Sequence, residues 1–320
     1  MNGKQNPSKD HHYVPVCYQK NFVGDDNRLA TLNLKNVAKG YPTKVKYLYP
    51  AQICYIKNYY QITREIRDYY DEFANYDDLF IESDVLRSTE NGYPEVLEAL
   101  TKKGKVTTDQ AMLMADFIVQ IKFRNPYYID KVIAKNLSAW TTEFIDEVAA
   151  DLKIAPKYSH IPDEIKNAHI AHLRQEHRPG PHSSKQFQLT SLINRMFREH
   201  ESNQRMYTAL LSEEWTLFIA TGKELFITTD NPGYSMNMEN SHNFLFTGEY
   251  QFYFPLSPVY CLMFGGKKDM RYLEQRNEKL IDARQVDDDL VKMINGIQLD
   301  HASCYAIAYN DGFIKKIKLR

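Results

Sequence analysis

The sequence predicts an α+β fold, a mixed sheet built from N- and C-terminal strands with a large central helical region packed on it. Three observations predict this. Short β-type patterns lie near the N-terminus, at Arg28 to Leu34 and Lys44 to Tyr49, around Gly40-Tyr41-Pro42. Further β-type patterns lie beyond Trp215. Helical periodicity fills the stretch between them. Strands at both ends and helices in the middle pack most economically as one sheet covered by the helices. That assembly would bring His11-His12 beside the C-terminal motifs.

Taken in order, the pattern becomes helical from Tyr69 to Leu100, with an interruption expected near Asn91-Gly92-Tyr93-Pro94. Thr107-Thr108-Asp109-Gln110 is a capping-box signature. Behind it Ala111, Met114, Ala115, Ile118 and Ile121 recur at helical spacing. Arg124-Asn125-Pro126 should end or kink that helix, because the residue before a proline avoids the α region. Tyr127 to Leu152 and Phe187 to Leu211 read as further helices, with a more variable segment bounded by Pro156, Pro162 and Arg178-Pro179-Gly180-Pro181 between them. Trp215 to Ala220 and Glu224 to Thr229 read as a hairpin across Thr221-Gly222-Lys223. Gln251 to Phe254 and Tyr260 to Phe264 read as strands, and Asp282 to Leu299 as a helix. Cys304 to Tyr309 and Phe313 to Leu319 read as closing strands turned at Asn310-Asp311-Gly312. The chain is expected to be one domain over residues 1–320. Residues 1–60 hold an N-terminal motif and short strands, 69–211 the helices, and 212–320 a β-rich region with one long helix.

Composition narrows the function classes. With 320 residues and 43% hydrophobic content the chain can bury one large core. A net charge of -1 gives no global field toward nucleic acid. Lys35, Lys39, Lys44 and Lys46 form a loose basic patch that reads as a solvated hairpin. No apolar stretch approaches the ~20 residues that span a bilayer, and Met1 to Asp10 lacks the apolar core of a signal peptide. Cys17, Cys54, Cys261 and Cys304 are scattered, which fits a reducing cytoplasm better than a zinc ribbon or disulfide scaffold. P-loop, dinucleotide and helix-turn-helix signatures are missing from the sequence.

The motifs resemble a known family. His12-Tyr13-Val14-Pro15 followed by Tyr18, Lys20, Asn21 and Phe22 matches a His-x-Val-Pro opening. Glu90 with Val96-Leu97 matches an acid ahead of a short apolar helix, and Glu82 stands near an upstream acid. Arg124-Asn125-Pro126 matches Arg-Thr-Pro, and Phe226-Ile227-Thr228-Thr229-Asp230-Asn231-Pro232 matches apolar-Ile-Thr-Ser-Asp-Asn-Pro. Phe254-Pro255-Leu256-Ser257-Pro258 matches letter for letter, and Asn295 fits a family asparagine. The departures are Asn125 for Thr, Thr229 for Ser, and Gly233 in place of an apolar residue. In these blocks the chain resembles the domain-of-unknown-function family numbered 4238, which is mostly bacterial. The resemblance implies a single family domain and, by itself, no activity.

Each motif has a chemical and a plain reading. Asp230 at a strand end can ligate a hard metal or act as a base, and Asp230-Asn231-Pro232 can equally be an Asx turn. Adjacent residues on an extended chain face opposite ways, so at most one of His11 and His12 should enter a given pocket. His12, the motif residue, is the expected one, as ligand, base or structural imidazole. Arg124 can clamp a phosphate or carboxylate, or be buried in an ion pair with Glu90 or Asp230. Ser257 lacks a nucleophile elbow and reads as a turn. His169 and His172, with Glu176, His177 and His182, read mainly as a solvated helix, and Asp287-Asp288-Asp289 as helix N-terminal acids.

The leading expectation is a metal-dependent phosphodiester hydrolase, nuclease-like, in bacterial defence or stress. Asp230, Glu90 and His12 would hold Mg2+ or Mn2+, Arg124 and Asn231 would complete the catalytic set, and the partner would be nucleic acid or a small phosphorylated ligand. The alternative is a ligand-binding or sensor module in which the same residues are structural.

Overall fold

Among the described residues three sheets carry the strands, where the sequence suggests one. The computed structural model describes residues 9–41, 44–176, 178–180, 182–243, 249–275, 277–315 and 317. The largest sheet among them runs Lys105–Thr107, Glu278–Val286, Glu213–Ala220, Tyr260–Lys268, Gln251–Pro255, Tyr234–Met236, Ser241–His242. Its pairs are antiparallel except Glu278–Val286 beside Glu213–Ala220. A four-stranded antiparallel sheet runs Lys46–Leu48, Leu29–Asn33, Tyr305–Ala308, Thr228–Thr229. This one does join N- and C-terminal strands. Asp10–His12 pairs with Tyr55–Lys57 in a small ribbon. The α+β class therefore holds.

The Thr108–Arg124 helix lies at the centre. Its capping box is formed: Gln110 N donates to Thr107 Oγ1 at 3.2 Å, and Thr107 N donates to Gln110 Oε1 at 3.1 Å. The helix ends at Arg124, and Asn125 before Pro126 is extended. Met114, Phe117, Ile118 and Ile121 share one core with Trp215, Leu262, Phe252 and Phe254 of the large sheet. Burying such residues at roughly 1.5–3 kcal/mol each is what holds helix to sheet.

Where local patterns mislead, packing is the reason. The expected break at Asn91 to Pro94 is absent, and Arg87–Glu98 is one helix with Pro94 inside. A Cβ on Gly92 would meet Leu113 Cδ1 at 2.4 Å, and Tyr93 stacks on Phe117 at 3.9 Å. Close contact with the central helix keeps this helix continuous through its proline. Phe187 to Leu211 is not one helix but two, Ser183–Asn194 and Glu201–Leu211. Asn203 Nδ2 donates to the Asn194 and Phe197 carbonyls at 2.6 Å and fixes the break.

The expected 215–229 hairpin does not form. Both edges of Glu213–Ala220 are taken by other strands. Asn295 instead holds residues 225–227, accepting from Ile227 N at 3.0 Å and donating to Leu225 O at 2.9 Å. Thr228–Thr229 joins the smaller sheet. Residues 282–286 are strand rather than helix, and Asp287 caps the Asp288–Asp300 helix. Asn310 caps a helical turn at Asp311–Ile314 where a closing strand was expected, and the end of that stretch lies outside the described residues. Pro42 of the expected N-terminal turn also lies outside them. No helix among the described residues is long and apolar enough to cross a membrane.

Candidate functional site

The end of the central helix delivers Lys122, Arg124 and Asn125 into the interior. Lys122 follows Ile118 by four residues and so falls on the apolar face. It is fully buried and donates to Asn231 Oδ1 at 3.1 Å, Asn243 Oδ1 at 2.8 Å and Gly233 O. Burial pushes its pKa well below the usual lysine value. Gly233 is the departure from the family pattern. Its φ is +79°, and a Cβ there would meet Phe252 Cζ at 2.7 Å.

Arg124 is likewise buried and donates to Glu90 Oε1 at 2.7 Å and to His12 O at 2.6 Å. Its guanidinium lies 5.6 Å from the Tyr60 ring centroid, and Tyr60 OH donates to Arg124 O at 3.2 Å. Burial lowers its pKa, but Glu90, Tyr60 and Glu82 outweigh that and carry it above the ordinary value. The ion-pair reading of Arg124 and Glu90 is the one seen. His12 is half-buried, and its Nε2 lies 3.3 Å from Ala51 O. Burial lowers its pKa. His11, not His12, is the fully buried imidazole. Its Nδ1 accepts from Tyr60 N at 2.8 Å while the ring stacks on Tyr60 at 5.4 Å. Burial first, then Lys185 and Arg124, lower its pKa to about 4.

Asp230 and Asn231 form a second centre, joined to the first through Asn125. Asn125 Nδ2 donates to Asp230 O at 2.7 Å. Asn231 Nδ2 donates to His301 O at 2.7 Å, and Gln298 bridges Thr229 Oγ1, Asn231 O and Gly233 N at 2.8–3.0 Å. Asp230 is 1% exposed. Its Oδ1 accepts from Ser303 N at 2.9 Å, but Oδ2 is buried with no hydrogen-bond partner of good geometry, as is Ser303 Oγ. Burial raises the Asp230 pKa, against the backbone donors of Cys304, Tyr305 and Ser303.

Asp230 lines a cleft of ≈ 700 Å³ with Tyr13, Asn125, Lys35, Ser303 and Cys304. Members of three motif blocks thus meet at one concavity, which is where ligands are usually taken up. A groove of ≈ 930 Å³ lined by Trp140, Phe144 and Phe187 holds no residue of the blocks.

The structure therefore brings Glu90, Arg124 and the His12 carbonyl together at one point, and Asp230 and Asn231 together at another. The described residues contain no group of three or more His, Cys, Asp or Glu that could hold a metal ion. The residues expected to hold Mg2+ or Mn2+ do not fit that role: Glu90 is paired with Arg124, and the His12 ring lies at a carbonyl. Ser257 Oγ accepts from Val259 N and Tyr260 N, as a turn residue does. His172 pairs with Glu176 and His182 with Glu65, while His177 lies outside the described residues. Lys35, Lys122 and Cys304 were missed. Lys122 had a legible signal, a charge on an otherwise apolar helical face. Cys304 and Lys35 had none, since only strand pairing brings them together.

An α+β protein with a buried polar hub beside a tyrosine- and lysine-lined cleft is the class that these observations define. The chain belongs to the family described as protein of unknown function (DUF4238), which it matches over residues 10–312. No curated protein and no solved structure matches it.

Two predictions follow from the Arg124 and His11 surroundings. Glu90→Gln removes the carboxylate bonded to the buried guanidinium and should lower unfolding stability by about 3 kcal/mol. An unchanged urea midpoint would contradict this. His11 favours its neutral form when folded, so its contribution is complete above pH 6.5 and is lost as pH falls toward about 4. Between those values wild type should lose about 1.4 kcal/mol per pH unit more than His11→Gln. Parallel stability–pH curves would refute the assignment.

Proposed function

We propose that the protein is a ligand-binding module whose site is the cleft over Asp230. The observation that carries this reading is the unpartnered Asp230 Oδ2, buried in the lining of that cleft beside the unpartnered Ser303 Oγ. A buried polar atom without a partner costs about 1–3 kcal/mol, which a ligand donor can recover. The ligand is a small molecule with an N–H or O–H group for Oδ2. Tyr13, Tyr55, Tyr127 and Tyr305 line the cleft and favour a flat or apolar body, and Lys35 and Lys131, which also line it, favour an acceptor on the ligand. In this reading His12, Glu90, Arg124 and Asn231 build and brace the site and do not contact the ligand.

The metal-dependent phosphodiester hydrolase, acting on nucleic acid or a phosphorylated ligand with Mg2+ or Mn2+, has weaker support. It asks His12, Glu90 and Asp230 to meet at one ion, whereas the partners of Glu90 and His12 are Arg124 and Ala51. A role in bacterial defence or stress and a cytoplasmic location are compatible with either reading.

Benzamide, a flat molecule with both an N–H donor and a carbonyl acceptor, is a suitable probe. In an NMR titration it should shift the Ser303, Cys304 and Tyr305 amides. Asp230→Asn should weaken its binding roughly tenfold, about 1.4 kcal/mol. Shifts confined to other surfaces, or equal affinity in the folded variant, would count against the cleft.

A further inference from the structure

Three adjacent strands of the four-stranded sheet place three reactive side chains at the same end. Lys35 lies just after Leu29–Asn33, Cys304 just before Tyr305–Ala308, and Asp230 just after Thr228–Thr229. Backbone bonds fix this register. Leu34 N donates to Cys304 O at 2.7 Å, and Asp230 N donates to Tyr305 O at 3.1 Å. The Cys304 thiol lies against both the Lys35 ammonium and the Asp230 carboxyl. All three residues line the same ≈ 700 Å³ cleft. The three groups are a thiol, a buried carboxyl whose Oδ2 has no hydrogen-bond partner of good geometry, and an ammonium, in the lining of a cavity large enough for a small substrate.

We propose that this trio is a thiol-based acyl-transfer site that hydrolyses the C–N bond of a small amide. The inference rests on the binding reading of the same cleft and adds a reaction to it. Asp230 Oδ2 takes the thiol proton, and the Cys304 sulfur forms a C–S bond to the amide carbonyl carbon. The carbonyl oxygen becomes an oxyanion that the Lys35 ammonium faces. The C–N bond then breaks, and the leaving amine takes the proton held by Asp230. Water attacks the thioester and gives one proton to Asp230, the C–S bond breaks, and that proton returns to sulfur. The sum is amide plus water to carboxylic acid plus amine, with no oxidant and no metal.

The surroundings suit these roles. Burial holds the Cys304 pKa above its usual value, although Lys35 opposes this, so the resting thiol keeps its proton and needs a base. Burial raises the Asp230 pKa, which makes it a stronger proton acceptor than an exposed aspartate. Cys54 also lines the cleft but is fully enclosed, with its thiol against Tyr13. It serves as an internal control.

The test uses 4-nitrophenyl acetate, an activated ester small enough to need no specific binding. Release of nitrophenolate and peptide mapping of the acetyl group are followed in the full chain. Cys304 should be acetylated faster than Cys17 and Cys54 and should then lose the acetyl group to water. Asp230→Asn should slow turnover about 100-fold. Lys35→Met, at an exposed position, should slow acetylation in a chain of unchanged fold. Cys304→Ala should abolish turnover. Acetylation spread evenly over the cysteines, a stable acetyl-Cys304 in wild type, or wild-type rates in the folded Asp230 and Lys35 variants would each overturn the proposal. Benzamide binding with an inert Cys304 leaves the cleft a binding site and removes the reaction. A reactive Cys304 without benzamide binding does the reverse.

Discussion

A fully buried lysine side chain constrains everything near it. Lys122 sits in the interior with Asn231, Gly233 and Asn243 oxygens as acceptors and no carboxylate among them. A buried charge or amine without such acceptors would cost several kcal/mol. The chain meets that cost by folding the Asp230-Asn231-Pro232 turn around it. Gln298 and the His301 carbonyl hold the turn from the last long helix, and Asn125 holds it from the central one. The hub thus ties the central helix to the small sheet and to the 288–300 helix.

That arrangement explains why Asp230 is left with an unused oxygen. The main chain of residues 229–233 is fixed on several sides, and this sets where the Asp230 side chain projects. Ser303 N satisfies Oδ1, while Oδ2 stays in the cleft lining. The neighbouring Glu90–Arg124 pair has the opposite character. It is an internal ion pair, with the second guanidinium Nη on the His12 carbonyl, and it locks the N-terminal segment against the central helix. One motif set therefore braces the chain, and the other faces a concavity.

The parts of the fold legible in sequence are those set by local chemistry. The Thr107 capping box and the stop at Asn125-Pro126 are decided by neighbouring residues. So is the extended character of residues 29–33, 251–254 and 260–264. The rest depends on partners far away in the chain. Glu224 to Thr229 has strand chemistry, but the adjacent strand already has two partners, so Asn295 takes over part of its backbone bonding. Asn91 to Pro94 carries breaker residues, yet Gly92 is there for contact with Leu113. At the site, Asp230, Asn231 and Arg124 were readable as polar motif residues in unusual settings. Their roles were not, because whether Arg124 pairs with Glu90 or holds a ligand depends on which side chain packing puts beside it. His11 in place of His12 as the buried ring follows from which face of the short N-terminal strand turns toward Tyr60.

The most direct test of the hub is amide hydrogen exchange in Lys122→Met, which keeps length and removes the donor. The account predicts lost protection at Asn231 and Gly233, whose amides bond Thr229 Oγ1 and Gln298 Oε1. The Ser303 amide on Asp230 should follow, while the Met114 to Ile118 stretch of the central helix stays protected. Unchanged protection across residues 229–233 would contradict the claim that the buried lysine organises this turn and, through it, the cleft.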